Sequence, residues 1–371
     1  MTFQDIWRVP DAGVAAARFP GYVGAVRVRG HVEIHAAGRT AVEDDSPPMT
    51  GGTQFRIASI TKPMGGALLL SLVEDGLIGL DDEVARWAPE LAEPRVLRDP
   101  DGPLDDTVAA VRPVTVRHLA TLTSGWGVGL KPNPLQREMI ERGVFPSAMG
   151  HTCTGDEFLE RVGSLPLVFQ PGEGWRYETS FNLLGLVLER ALGKTVGELL
   201  AERVLGPLGM TDTAFAGDPT RLAAAYQPKR AGLELTDPPD GKFARPPGFE
   251  TLSGGLVSTA GDVLRFYSAI ADGELLSDAS RAAMTSNALT PQQRESAPEA
   301  FLAPGSTWGL GTGIIEATGA WGWAGGSGTT AAVDPRLDTV AVLLTQRAMA
   351  GPDDSPQPFH DAVAAAARSD S

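Results

Sequence analysis

The sequence predicts an α+β protein: an antiparallel sheet lobe flanked by helices and built from both ends of the chain, with an all-α lobe inserted between. Three observations carry this. β-rich runs lie close to the N-terminus, strand patterns return in the last third, and helical signals dominate the middle. The expected division assigns residues 1–58 and 246–371 to the sheet lobe and 59–245 to the helical one. A chain of 371 residues is long for one hydrophobic core, which fits two lobes or one elaborated domain.

Residues 2–18 are amphipathic through Phe3, Ile6, Trp7 and Val14, with an interruption expected near Pro10. Runs 23–28 and 31–35 read as strands joined by a tight hairpin at Arg29-Gly30. A helix is expected over 59–74, ended by Asp75-Gly76 with Gly76 as its left-handed cap. Thr154 with Glu157, and Thr195 with Glu198, have the spacing of capping boxes at helix starts. Residues 181–192 form a strongly apolar helix closed by Gly193. Segments 125–150 and 226–254 are rich in Gly and Pro and are expected to be irregular, functional loops. Residues 309–315, 328–333 and 339–344 read as strands, and 361–368 as a closing helix.

Composition narrows the function. A formal charge of −15 and a pI near 4.8 repel phosphate, so neither nucleic acid nor an anionic membrane is an expected partner. The lone Cys153 permits no intramolecular disulfide and reads as a structural or incidental thiol. The N-terminus has neither a basic start nor an apolar run, and the most apolar stretch, 65–73, is too short to span a bilayer. A cytoplasmic protein is expected. The five histidines, His31, His35, His118, His151 and His360, show no helical ligand pair, so no metal and no cofactor are expected. No Gly-x-Ser-x-Gly occurs, which argues against an α/β-hydrolase.

Chemistry concentrates at Ser59-Ile60-Thr61-Lys62, at the start of the expected helix. A serine hydroxyl is a poor nucleophile without an adjacent base, and a lysine one helical turn later lies on the same face. Lys62 is the only lysine in the chain with a serine three residues before it. A helix start also offers free N–H groups to an oxyanion. The alternative reading of this spacing is an N-cap serine beside a solvated lysine. A second feature is the polar turn 171–180, where Tyr177 precedes an apolar helix. A phenol in such a turn can relay a proton between nucleophile and leaving group. Tyr22 and Tyr267 read as core residues, which leaves Tyr226 as the second candidate. The third feature is Trp323-Ala324-Gly325-Gly326-Ser327-Gly328-Thr329. Glycines this dense in a strand pattern imply close approach by a ligand or backbone, with an edge-strand N–H as an oxyanion donor, or else a bulge or turn.

Ser59-Ile60-Thr61-Lys62, Tyr177-Glu178-Thr179 and Trp323-Ala324-Gly325, in this order and spacing, resemble the serine β-lactamase and penicillin-binding-protein superfamily. The resemblance is closer to its class C-like branch of esterases, transesterases and D-amino-acid peptidases. It is supported by Phe55-Arg56-Ile57-Ala58, Leu122-Thr123-Ser124-Gly125, Gly206-Pro207-Leu208-Gly209-Met210 and Gly254-Gly255-Leu256-Val257-Ser258, and it spans about residues 15–350. The resemblance implies an active site between the lobes and an acyl-enzyme on Ser59. Lys62 and Tyr177 would share the proton transfers, and the N–H groups of Ser59 and Gly326 would form the oxyanion hole. Thr179 stands where the family usually has Asn, and Trp323 where it has a Lys or His. Both departures disfavour a penicillin-like amide or a substrate carboxylate and point to a small neutral ester. The expected substrate contacts are Thr179, Trp323, Ala324 and Gly325, with Trp126 and Phe249 from the two irregular segments. The other readings are an amidase, a D-amino-acid peptidase or weak β-lactamase, or a scaffold without catalysis.

Overall fold

The computed structural model describes residues 3–129, 132–146, 150–230, 232–351 and 354–369; parts of the expected segments 2–18, 125–150 and 226–254 lie outside the described residues. The chain opens with α1 (Gln4–Ala15), β1 (Gly21–Val28), β2 (His31–Gly38) and β3 (Phe55–Arg56), then a 3-10 turn at Ala58–Ile60 and α2 (Thr61–Glu74). The middle holds β4 (Arg95–Leu97), β5 (Thr107–Ala109), α3 (Val116–Ala120), α4 (Pro134–Glu141), α5 (Gly155–Gly163), α6 (Thr179–Leu192), α7 (Val196–Leu200), β6 (Ala225–Lys229) and β7 (Gly232–Asp237). Then follow β8 (Val257–Ser258), α8 (Ala260–Asp272), α9 (Asp278–Thr285), α10 (Pro291–Glu295), β9 (Ser306–Trp308), β10 (Gly313–Ile315), β11 (Trp321–Gly325), β12 (Thr329–Asp334), β13 (Thr339–Thr345) and α11 (Gln357–Ser369).

Seven strands from the two ends of the chain make one antiparallel sheet, ordered β2-β1-β13-β12-β11-β10-β9. β1 and β2 close through Arg29 and Gly30, both at positive φ, the pairing of conformations that suits the twist of a two-residue hairpin. Side chains alternate across the central strands with period two. Tyr22, Val26, Val28, Ala341 and Leu343 face α1 and α11, where they meet Ile6, Trp7, Phe359 and Val363. Val23, Ala25, Val340, Val342 and Leu344 face the other way, into a core shared with α2, α6 and α8. The antiparallel sheet with helices on its faces is the expected class.

Several expected elements take other forms. α1 runs from Gln4 to Ala15 through Pro10, its seventh residue, although the ring removes the hydrogen bond that position would donate to the carbonyl of Ile6. Ser59 lies in the 3-10 turn ahead of α2 rather than in the α-helix itself. The middle region carries two hairpins, β4–β5 and β6–β7, and the second occupies much of the segment expected to be irregular. The strand expected over 309–315 begins only at Gly313, as β10; residues 309–312 are the turn that joins it to β9. Gly311, at φ +100, presses that turn against α2: a Cβ there would lie 2.9 Å from the Gly66 Cα, and one on Gly66 only 2.3 Å from the Leu310 carbonyl oxygen. β11 is an inner strand, yet β10 pairs only with Trp321 and Gly322, so the edge at Trp323–Gly325 is open on that side.

A buried ion pair braces the segment ahead of Ser59. Arg56 in β3 donates through Nε and an Nη to Asp237 Oδ2, at 2.8 and 2.6 Å, and both side chains are buried. Asp237 Oδ1 also accepts from the Lys242 N–H. Burial lowers the affinity of the Arg56 guanidinium for its proton, and the Asp237 carboxylate opposes that. Asp237→Ala is expected to destabilise the protein by about 3–5 kcal/mol, because it leaves a buried cation without its partner. Urea unfolding checks this; a loss below about 1 kcal/mol would mean that water compensates the guanidinium.

Candidate active site

The 3-10 turn that presents Ser59 starts at Ala58, which is held in the left-handed region at φ +47. A short side chain keeps that conformation to a cost of ~1–2 kcal/mol. One turn later, Lys62 is fully buried, and its Nζ donates to Ser59 Oγ at 3.1 Å and to the Ser253 carbonyl at 2.5 Å. The lysine is therefore not a solvated partner of an N-cap serine. The same Nζ lies 4.5 Å from the centre of the Tyr177 ring. Tyr177 precedes α6 on a turn that pairs with Val128 through two backbone hydrogen bonds. Phe301 stacks on its ring at 4.2 Å, and its Oη accepts a 2.6 Å hydrogen bond from Trp323 Nε1. Three groups from distant parts of the sequence thus meet in one place.

The turn after β11 and the first residue of β12 are tied to the Ser59 segment by side chains. Ser327 Oγ donates to the Arg56 carbonyl at 2.6 Å, and Thr329 Oγ1 to the Ile57 carbonyl at 2.9 Å. A Cβ on Gly325 would lie 2.6 Å from that Ile57 oxygen, so only glycine lets strand and turn come this close. Gly326 follows directly and lines the cleft beside Ser59, with open space where a Cβ would stand.

The cleft encloses about 500 Å³. One wall comes from the segment around α4, with Val128, Pro132, Ile140 and Phe145; Phe301 adds to the apolar lining. Tyr177, Glu178, His151, Thr251, Ser253 and Gly254 line it near Ser59.

Of the residues expected here, Ser59, Tyr177 and Gly326 line the cleft, and Lys62 lies beneath them. The expected substrate contacts fare differently. Trp126 is buried away from the cleft, its Nε1 donating to the Leu165 carbonyl at 3.3 Å. Phe249 sits behind the lining and stacks on His151. Thr179 is fully buried, with no hydrogen-bond partner for its hydroxyl. Ala324 and Gly325 belong to the strand behind Gly326, and Trp323 directs its polar edge at Tyr177 rather than forming a flat wall. Tyr226 is engaged elsewhere, its Oη accepting from the Val42 N–H at 3.1 Å. Cys153 is buried, which pushes its thiol above the ordinary value.

Sequence reasoning passed over a polar cluster at this site. Ser253 Oγ donates to Glu178 Oε1 at 2.5 Å, while its carbonyl accepts from Lys62 Nζ. Asn182 Nδ2 lies 3.3 Å from His151 Nε2 and 3.4 to 3.5 Å from the two Glu178 oxygens, and Thr251 Oγ1 donates to Asn182 Oδ1. The one local signal was an acid directly after Tyr177, at the mouth of an apolar helix.

The arrangement suits acyl transfer: a hydroxyl with a buried amine on it, a phenol against that amine, and a glycine N–H across an apolar cleft. Among curated proteins, the chain is 35% identical over 331 residues to Protein Rv1367c of Mycobacterium tuberculosis, covering 82% of this chain and 80% of that one. It is 32% identical over 375 residues to Esterase EstB of Burkholderia gladioli, covering 92% and 89%. Among solved structures, EstCE1, described as a hydrolase with promiscuous acyltransferase activity, superposes with a TM-score of 0.82 at 26% identity, covering 97% of both chains. The beta-lactamase family model matches residues 8–366, from within α1 to within α11, and on that match the chain belongs to the beta-lactamase family.

Proposed function

We propose that this protein is a serine hydrolase that forms an acyl-enzyme on Ser59 and acts as a carboxylesterase or acyltransferase on small esters. The observation that carries the reading is the Lys62 Nζ, 3.1 Å from Ser59 Oγ and set against the Tyr177 ring at the floor of a largely apolar cleft. The similarity to an esterase and to a hydrolase with acyltransferase activity supports it.

In this reading Ser59 Oγ attacks the ester carbonyl carbon, and its proton passes to the Lys62–Tyr177 pair. The carbonyl oxygen becomes an oxyanion between the N–H groups of Ser59 and Gly326. Collapse breaks the bond to the alcohol, which leaves with the proton. Water or an acceptor alcohol then attacks the acyl carbon, gives up its proton to the same pair, and restores Ser59. The Trp323 N–H on Tyr177 Oη supports negative charge that develops there during transfer. The apolar lining disfavours a substrate carboxylate.

Intact-protein mass spectrometry with p-nitrophenyl esters of increasing chain length tests this, with Ser59→Ala and a cephalosporin in parallel. The expected result is a transient acyl mass on wild type only, rapid ester turnover, and slow or absent turnover of matched anilides. Adducts with the cephalosporin but not with the esters would overturn it.

A further inference from the structure

Glu178 stands out among the groups lining the cleft. Its backbone sits at φ +87 and ψ −61, and the Thr179 N–H reaches the Tyr177 carbonyl across it at 3.3 Å. That is a γ-turn of the strained hand, rare for a residue with a side chain. The turn places Tyr177 and Glu178 side by side in the cleft, and Glu178 is 8% exposed.

A carboxylate removed from water needs a cation or a full set of donors. Among the described residues no cation forms an ion pair with Glu178, and its hydrogen bonds are one short bond from Ser253 and the long contacts of Asn182. Two oxygens with about four acceptor sites are left underfilled. His151 supplies no charge. Its contacts fit the neutral ring, with Nδ1–H directed to the Gly143 carbonyl and Nε2 accepting from Asn182. Burial moves its proton affinity down, against the pull of Glu178. Lys62 is directed to Ser59 and to the Ser253 carbonyl, and Arg137 is exposed at the rim. Lys242, whose charge reaches the His151 ring, is directed to the Gly150 carbonyl, which leaves the place of a cation on Glu178 to an occupant of the cleft.

We propose that Glu178 is a specificity-determining residue that makes this cleft select esters carrying a protonated amine, held by Glu178 while the ester carbon lies at Ser59. The inference rests on the esterase reading and narrows its substrate class. An ammonium donating to a buried carboxylate makes a charge-assisted hydrogen bond, and a methyl group in its place leaves the carboxylate unfilled.

Matched pairs test it: p-nitrophenyl 6-aminohexanoate against p-nitrophenyl heptanoate, and the butyrate of 6-aminohexan-1-ol against that of heptan-1-ol. In wild type at least one pair is expected to favour the amine at least ten-fold in kcat/KM. In Glu178→Gln that ratio is expected to fall at least ten-fold, and in Glu178→Asp it stays above one. No preference in either pair, or a preference that survives in Glu178→Gln, overturns the proposal. A calorimetric titration reads the same interaction without turnover: hexylammonium chloride is expected to bind wild type at least ten-fold more tightly than 1-hexanol does, and equal binding overturns the proposal. If both neutral esters are hydrolysed by a Ser59-dependent route at the rates of their amino partners, the selectivity falls and the esterase reading stands. If no ester is hydrolysed but hexylammonium binds selectively, the reverse holds.

Discussion

Lys62→Met is expected to lower kcat/KM for a p-nitrophenyl ester by about 10³-fold or more, which corresponds to about 4 kcal/mol of transition-state stabilisation. Methionine nearly preserves the length and apolar stem of a fully buried side chain while removing the amine on Ser59 Oγ and on the Ser253 carbonyl. Turnover and fold are separable by measuring ester hydrolysis alongside thermal unfolding. Ser59→Ala is expected to cost as much as Lys62→Met, and the double variant little more, because a nucleophile and its base act as one unit. A Lys62→Met enzyme within ten-fold of wild type would remove Lys62 from the proton transfers.

Tyr177→Phe is the second large effect, again about 10³-fold or more in kcat/KM, since it deletes the only hydroxyl on the ring that packs against Lys62 Nζ. The ring stack on Phe301 and the apolar contacts survive the change, so the melting temperature is expected to move by a few degrees only. Trp323→Phe serves as the graded control. It keeps an aromatic ring but removes the 2.6 Å N–H donor on Oη, and a smaller loss of about 10-fold is expected from one hydrogen bond to a group that gains charge. If Tyr177→Phe kept near-wild-type rates while Trp323→Phe lost activity, the phenol would be a spacer and not a proton relay.

Legibility in the sequence follows the range of the interaction. The pairing of Ser59 with Lys62 was legible because one helical turn brings residues three apart onto the same face, whatever the remainder of the chain does. The hairpin at Arg29-Gly30, the capping boxes at Thr154 and Thr195 and the closing Gly193 were legible for the same reason: each is a local demand on a few torsions. Tyr177 and the glycines among 325–328 were legible through a family pattern, while each lies more than a hundred residues beyond the Ser59 it meets.

Tertiary structure alone decided the rest. Within the polar cluster Glu178 and Asn182 are four residues apart, but their partners His151, Thr251 and Ser253 lie 31, 69 and 75 residues away, and no spacing rule links those. Trp126 and Phe249 were placed in the cleft because they lie in glycine-rich segments, but an aromatic ring in such a segment can turn into the core as readily as out of it. The first residues of the strand expected over 309–315 form a turn pressed onto Gly66 of α2, a contact that exists only once helix and sheet have packed. The sequence by itself thus determined the sheet-and-helix class and the reactive pair, because local geometry writes both into neighbouring residues. The walls of the cleft and the uncompensated carboxylate within it depend on chain closure over long separations, and only the folded molecule decided them.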